Sequence, residues 1–189
     1  MSEELNDGFV KVIDDFLPTP TFNRLRDFVL QIDFPWHWSE QDYNPDDKTI
    51  EHIDTSKDGT FMLHHVLYTP RTQPSKFIEY FNIFHDIFLH RGFDLGDIIK
   101  LKLNMYTNQG VRKNLVKHTD FYQESDKPLK YLTGVFCFTD DNGATCVGED
   151  EYKTKPNRMI AFDGNLEHWA YTQTNTNRRV ILNLNYLRN

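Results

Sequence analysis

Hydrophobic spacing changes character near residue 92, and the chain divides there into two stretches. Gly8 to Phe16 alternates apolar and polar residues, the pattern of a half-buried strand. Leu17-Pro18-Thr19-Pro20 breaks it, and Thr21 stands where a helix cap is expected. Phe22, Leu25, Phe28, Val29 and Ile32 then fall at helical spacing and predict a helix with an apolar core-facing stripe. Asp33 to Gly59 is polar, acidic and dotted with Trp36, Trp38 and Tyr43, so it is either a solvated loop or a binding lid. Thr60 to Tyr68 is a short apolar run of strand character. Its adjacent His64 and His65 would face opposite ways and so play structural parts. Pro74 to Gly92 predicts a second helix, with Phe77, Tyr80, Phe81, Phe84, Ile87 and Phe88 in one stripe, Gly92 as its stop, and His85 and His90 at the surface.

Beyond Phe93 the helical period disappears. Ile98–Tyr106, Val116–Phe121, Lys130–Thr139, Arg158–Phe162 and Arg179–Leu187 read as strands, separated by turn-rich pieces such as Asp140-Asp141-Asn142-Gly143. Two helices followed by many short strands point to a mainly β fold with backing helices, an antiparallel barrel or jelly roll. The whole of 1–189 suits one domain, with 1–92 carrying the first strand, helices and lid candidate, and 93–189 the β core.

Composition narrows the classes. A formal charge of −7 argues against a broad nucleic-acid surface. The two cysteines, Cys137 and Cys146, are too few for a disulfide scaffold and read as buried thiols in a reducing cytoplasm. The acidic first residues are unlike a secretory signal, and no apolar run approaches the ~20 residues of a membrane span. No membrane partner is expected.

The candidate chemistry lies in His118-Thr119-Asp120. On a strand, residues i and i+2 share a face, so the imidazole and carboxylate would project together, and His168 from a neighbouring strand would complete a two-histidine, one-carboxylate metal face. That face leaves coordination positions open, as non-haem Fe(II) oxygenases require. A second H-x-D, His52-Ile53-Asp54, has no strand to aim it. Arg178 and Arg179 open the last strand, and only one of them can point inward. Asn183 and Asn185 share a face with Arg179, whereas Val180, Leu182 and Leu184 share one with Arg178, so Arg179 is preferred for fixing a carboxylate and Arg178 is the alternative. Trp169 is either a half-buried tryptophan or part of a substrate mouth. Arg112, Lys113 and Lys117 form a basic strip that reads first as a solvated edge.

The stretches LNMYTNQGVRKNLVKHTDF, YLTGVFCFTDDNGATCVG and NRMIAFDGNLEHWAYTQTNTNRRVILNLNY, together Leu101 to Tyr186, resemble the Fe(II)- and 2-oxoglutarate-dependent dioxygenases. The nearest likeness is to the compact prolyl-4-hydroxylase-like branch, including its small phage-type members. The resemblance implies a double-stranded β-helix (jelly roll, cupin-like), with Fe(II) on His118, Asp120 and His168 and 2-oxoglutarate on Arg179. Asn104 and Tyr106 resemble an N-x-Y cosubstrate contact, and Asn183 and Asn185 would add amides to that pocket. Family members often carry a tyrosine where this chain has Cys137. The implied reaction couples decarboxylation of 2-oxoglutarate, with O2 and optionally ascorbate as reductant, to hydroxylation of a substrate. A prolyl or other peptide side chain is favoured over a nucleobase of the AlkB type. A zinc hydrolase or a cupin-like binding module would use the same three ligands.

Overall fold

A computed structural model describes residues 6–39, 61–121 and 129–189. Among these, ten strands form two antiparallel sheets backed by two helices: β1 (Val10–Ile13), α1 (Thr19–Leu30), β2 (His37–Ser39), β3 (Met62–Tyr68), α2 (Ile83–His90), β4 (Leu95–Thr107), β5 (Tyr131–Cys137), β6 (Ala144–Val147), β7 (Asp150–Lys153), β8 (Met159–Asp163), β9 (His168–Tyr171) and β10 (Arg178–Arg188). The large sheet runs β1-β8-β5-β10-β4-β3-β2 and the small one β7-β6-β9. This is the jelly roll anticipated from the strand-rich second half. Among the described residues no helix is long and apolar enough to cross a membrane.

Strand alternation gives the large sheet two different faces. On β4 and β10, Leu101, Leu103, Val180, Leu182 and Leu184 turn toward the helices and join Phe22, Leu25, Val29, Phe84 and Phe88 in the main core. The opposite face carries Tyr106 and Ile181, packed with Val135, Cys137, Val147, Ile160 and Phe162 between the two sheets. Polar residues on that inner face stand at the level of the site described below. Phe136 is the hub of the outer core: its ring lies 4.8–6.1 Å from those of Phe84, Phe138, Phe16 and Phe22. Phe136→Ala is expected to destabilise the fold by about 3–5 kcal/mol, the range for truncating a buried phenylalanine, as read by denaturant unfolding.

Several expectations need correction. Helix α1 starts two residues before Thr21, with Pro20 in its first turn and no side-chain cap. The fixed φ of proline suits that position, where its missing N–H costs nothing. The helix also ends at Leu30, so Ile32 leaves the stripe and is fully exposed. The second predicted helix is interrupted. A 3-10 turn over Ile78–Phe81 precedes α2, and its tighter winding rotates Tyr80 out to solvent. His85 is half-buried, stacked on Tyr186 at 5.3 Å. Gly92 does end α2. With φ +85° it lets Phe93 N–H reach Phe88 O and its own N–H reach Leu89 O, while the Phe88 and Phe93 rings pack 5.0 Å apart.

Val116–Phe121 is not a regular strand. The stretch from Asn114 to His118 touches β9 through two isolated bridges, Asn114 to Tyr171 and His118 to His168, and so acts as an irregular fourth strand of the small sheet. Strands β2, β6 and β7 were not foreseen, and β9 was expected only as a strand carrying His168, without bounds. Of the expected lid over 33–59, the described part holds β2, paired with β3; residues 40–59, including His52 and Asp54, lie outside the described residues.

Candidate metal centre

The His118–His168 bridge brings the two imidazoles together. Each residue's N–H donates to the other's C=O, at 3.0 and 2.9 Å. A directly opposed antiparallel pair puts both side chains on one face, and the ring centroids lie 4.5 Å apart. Each ring then donates its Nδ1–H to a carbonyl two residues upstream, His118 to Val116 O at 2.9 Å and His168 to Leu166 O at 3.1 Å. A carbonyl only accepts, so Nδ1 carries the proton and Nε2 the lone pair in both rings. Burial, partly opposed by the Asp120 charge, pushes His168 down to about 4, which keeps it neutral at ordinary pH.

Asp120 arrives from a bend beyond the bridge, so strand alternation is not what aims it. Three strands of the large sheet hold its carboxylate instead. Oδ2 accepts from Asn185 Nδ2 at 2.8 Å and from Thr133 Oγ1 at 3.0 Å, and Lys100 Nζ lies 3.1 Å from Oδ1. Burial alone would raise the carboxyl pKa, but Lys100, the two histidines and the Asn185 hydrogen bond outweigh it and hold the group well below the carboxylate range. His168 Nε2 is 3.6 Å from Oδ2. One ligand atom from each of His118, Asp120 and His168 falls within 4.8 Å of the others, close enough to hold one metal ion.

The cavity beside this triad is walled by Lys100, Lys102, Asn104 and Tyr106 from β4, by Ile181 and Asn183 from β10, and by Thr145, Trp169 and Ala170 from the small sheet. Arg179 is fully buried next to it, opposite Tyr106 in the β4–β10 register, with its guanidinium 5.6 Å from the Tyr106 ring. Nε donates to Thr154 Oγ1 at 3.0 Å, Nη2 to Thr145 Oγ1 at 3.1 Å, and Asp141 Oδ1 lies 3.7 Å from Nε. Gly143 allows this approach: a Cβ there would sit 2.7 Å from Arg179 Cδ. Arg178, by contrast, is half-buried and donates to Leu30 O at 3.0 Å, tying β10 to the end of α1.

The polar atoms left over are informative. Arg179 Nη1, Asn104 Oδ1 and Asn183 Oδ1 are buried with no partner among the described residues. A buried guanidinium nitrogen without an acceptor is costly, and a carboxylate placed there would satisfy it. The residues therefore fit a divalent metal on the triad and an acidic small molecule near Arg179.

The structure thus brings together His118, Asp120, His168, Asn104, Tyr106, Asn183 and Arg179. Asn185 stands behind Asp120 rather than in the cavity wall. Trp169 borders the cavity, with the Lys117 ammonium 4.2 Å above its ring. Arg112 pairs with Glu151 at 2.8 Å. Sequence reasoning did not identify Thr133 as a carboxylate support, Lys100 and Lys102 as cavity wall, or Asp141, Thr145 and Thr154 as the cradle of Arg179. The two lysines were findable, since they share the parity of Asn104 and Tyr106.

No protein-family model and no curated protein matches the chain. Solved structures do. A Pseudomonas putida prolyl-4-hydroxylase aligns with TM-score 0.61 and 14% identity over 96% of this chain and 92% of its own. A 2OG-Fe(II) oxygenase family oxidoreductase from Burkholderia pseudomallei gives 0.63 and 11% over 95% and 86%. A Trichoplax adhaerens prolyl hydroxylase, in complex with a hypoxia inducible factor oxygen degradation domain peptide, gives 0.59 and 12% over 95% and 83%. At these identities the likeness is one of architecture: this chain has the jelly-roll fold of the prolyl-4-hydroxylase-like 2OG-Fe(II) oxygenases.

Proposed function

We propose that the chain is an Fe(II)- and 2-oxoglutarate-dependent dioxygenase that hydroxylates a peptide side chain, with proline the first candidate. The observation that carries this reading is the fully buried Arg179, whose Nη1 has no partner among the described residues and whose guanidinium lies against Tyr106 and Thr145, two lining residues of the cavity that also holds the two-histidine, one-carboxylate triad. A zinc hydrolase or a passive cupin-like module would use the same three ligands and leave that nitrogen unexplained. The fold likeness to prolyl hydroxylases, one of them bound to a peptide, favours a peptide over a nucleobase.

In this reading Nε2 of His118, Nε2 of His168 and the Asp120 carboxylate hold iron. Arg179 receives the distal carboxylate of 2-oxoglutarate, with the Thr145 hydroxyl, Asn104, Tyr106 and Asn183 lining its course. When bound, the iron and 2-oxoglutarate supply the oxidant for C–H hydroxylation, with succinate and carbon dioxide as co-products. The protein's share is geometry and shielding. The backbone carbonyls of Val116 and Leu166 fix the imidazole tautomers, and Asn185 and Thr133 fix the carboxylate. The apolar inner core around Val135, Val147 and Ile181 keeps bulk water from the reacting centre.

The test is succinate production from 2-oxoglutarate under air with Fe(II), with and without proline-containing peptides, nucleosides and ascorbate. Peptide-stimulated succinate supports the proposal; no succinate under any condition contradicts it. Asn185→Ala should weaken metal binding about 10–100-fold, as loss of a hydrogen-bond partner of a ligand does, when Mn(II) is titrated calorimetrically as a stable surrogate.

A further inference from the structure

One rung of the large sheet grips the carboxylate of Asp120. In register, Lys100 of β4 stands opposite Asn185 of β10, and Asn185 stands opposite Thr133 of β5. All three side chains turn to that carboxylate. Lys100 Nζ lies 3.1 Å from Oδ1, while Asn185 Nδ2 and Thr133 Oγ1 donate to Oδ2 at 2.8 and 3.0 Å. A carboxylate has about four lone-pair sites, two on each oxygen. Those of Oδ2 are therefore filled, and among the described contacts Oδ1 keeps the one site left for a metal. The ammonium and the ion would meet on the same oxygen.

An amide or hydroxyl on β4 would orient Oδ1 equally well without repelling a divalent cation. Lys100 brings a full positive charge instead, on a side chain only 25% exposed. With a metal–oxygen bond of ~2.1 Å, the 3.1 Å contact holds the nitrogen within ~5 Å of the ion. Salt screens partly buried charges at such a distance only weakly. Lys102 lines the same cavity, and Asp120 is the only acid among the described lining residues. The wall around the triad is thus net positive in a chain of net −7. Such a wall lowers affinity for any cation, but not equally. Ferric iron carries one more unit of charge than ferrous iron and is repelled more. A group that only orients the carboxylate has no such bias between the two states.

We propose that Lys100 is a positioning residue that holds the metal centre in its ferrous state, by keeping an ammonium on the metal-binding oxygen of Asp120. This rests on the oxygenase reading, whose chemistry starts from Fe(II), and adds to it a built-in resistance to loss of one electron from the iron.

The test is a redox titration of the full chain loaded with iron alone, followed by the electron paramagnetic resonance of Fe(III). Lys100→Gln keeps a hydrogen-bond donor and drops the charge. At a fixed solution potential its Fe(III):Fe(II) ratio should rise at least ~10-fold, a midpoint lower by ~59 mV for one electron. Lys100→Arg keeps the charge and should stay within about threefold of the parent chain. Lys100→Met, apolar and of similar length, takes the place of the glutamine variant if that one does not fold. An unchanged or raised midpoint in the neutral variant would overturn the proposal. So would an arginine variant that moves as far as the neutral one, since fit and not charge would then be the cause. The iron–2-oxoglutarate absorption band, recorded on separate anaerobic samples, reports on the oxygenase reading. A missing band with the midpoint shift present sinks that reading alone, and the band with an unmoved midpoint sinks the Lys100 assignment alone. A chain that holds no iron sinks both.

Discussion

Asp120→Ala should lower succinate formation more than 100-fold at micromolar iron, because removing a metal-bound group must exceed the ~10–100-fold cost of removing a group behind one. The substitution takes away the only carboxylate among the candidate ligands and strands Lys100, Asn185 and Thr133, which all point at it. Stability should fall as well, because the contacts of the carboxylate outweigh its desolvation and three groups lose their shared acceptor. The expected signature is therefore lost turnover in a chain that circular dichroism still shows folded, with a lowered unfolding midpoint. Turnover close to that of the parent chain would show that Asp120 is no ligand.

Arg179→Ala should raise the 2-oxoglutarate concentration needed for half-maximal rate by two orders of magnitude or more, since breaking a buried, hydrogen-bonded charge pair costs ~2–5 kcal/mol. Arg178→Ala should leave that requirement nearly unchanged, because its guanidinium meets the Leu30 carbonyl at the end of α1 and not the cavity. Alanine at 179 also leaves Asp141 buried without its cation. Arg179→Lys keeps the charge while losing the planar fork, and should show the same rise in requirement with a smaller loss of stability. If Arg178→Ala gave the larger effect, the assignment from strand parity would be reversed.

That parity was legible because β10 alternates without interruption from Arg178 to Asn185. One face is aliphatic and the other carries Arg179, Asn183 and Asn185, and the structure buries both accordingly. The helical stripe of α1 and the Gly92 stop were readable for similar local reasons. What failed depended on partners distant in sequence. Val116–Phe121 has strand-like residues but pairs with β9 only through the His118–His168 bridge. His118 and Asp120 do come close to one another, yet the cause is a backbone bridge for one and a clamp of three side chains for the other. Asp141 looked like an ordinary turn residue. Its Oδ1 and Oδ2 accept from Gly143 N–H and Thr139 Oγ1, as a turn aspartate's would, and its approach to Arg179 appears only when β6 and β10 face each other across the core. Asn185 has the parity of a pocket residue, and register with Thr133 and Lys100 makes it a support for Asp120 instead.

The most direct test of the account is anaerobic addition of Fe(II) and then 2-oxoglutarate to the purified chain, followed by visible absorption. The account predicts a metal-to-ligand charge-transfer band that saturates at one iron and one 2-oxoglutarate per chain, vanishes in His168→Ala, and needs far more 2-oxoglutarate in Arg179→Lys. A chain that binds Fe(II) yet gives no such band, or gives one that survives loss of the His168 imidazole, would contradict it.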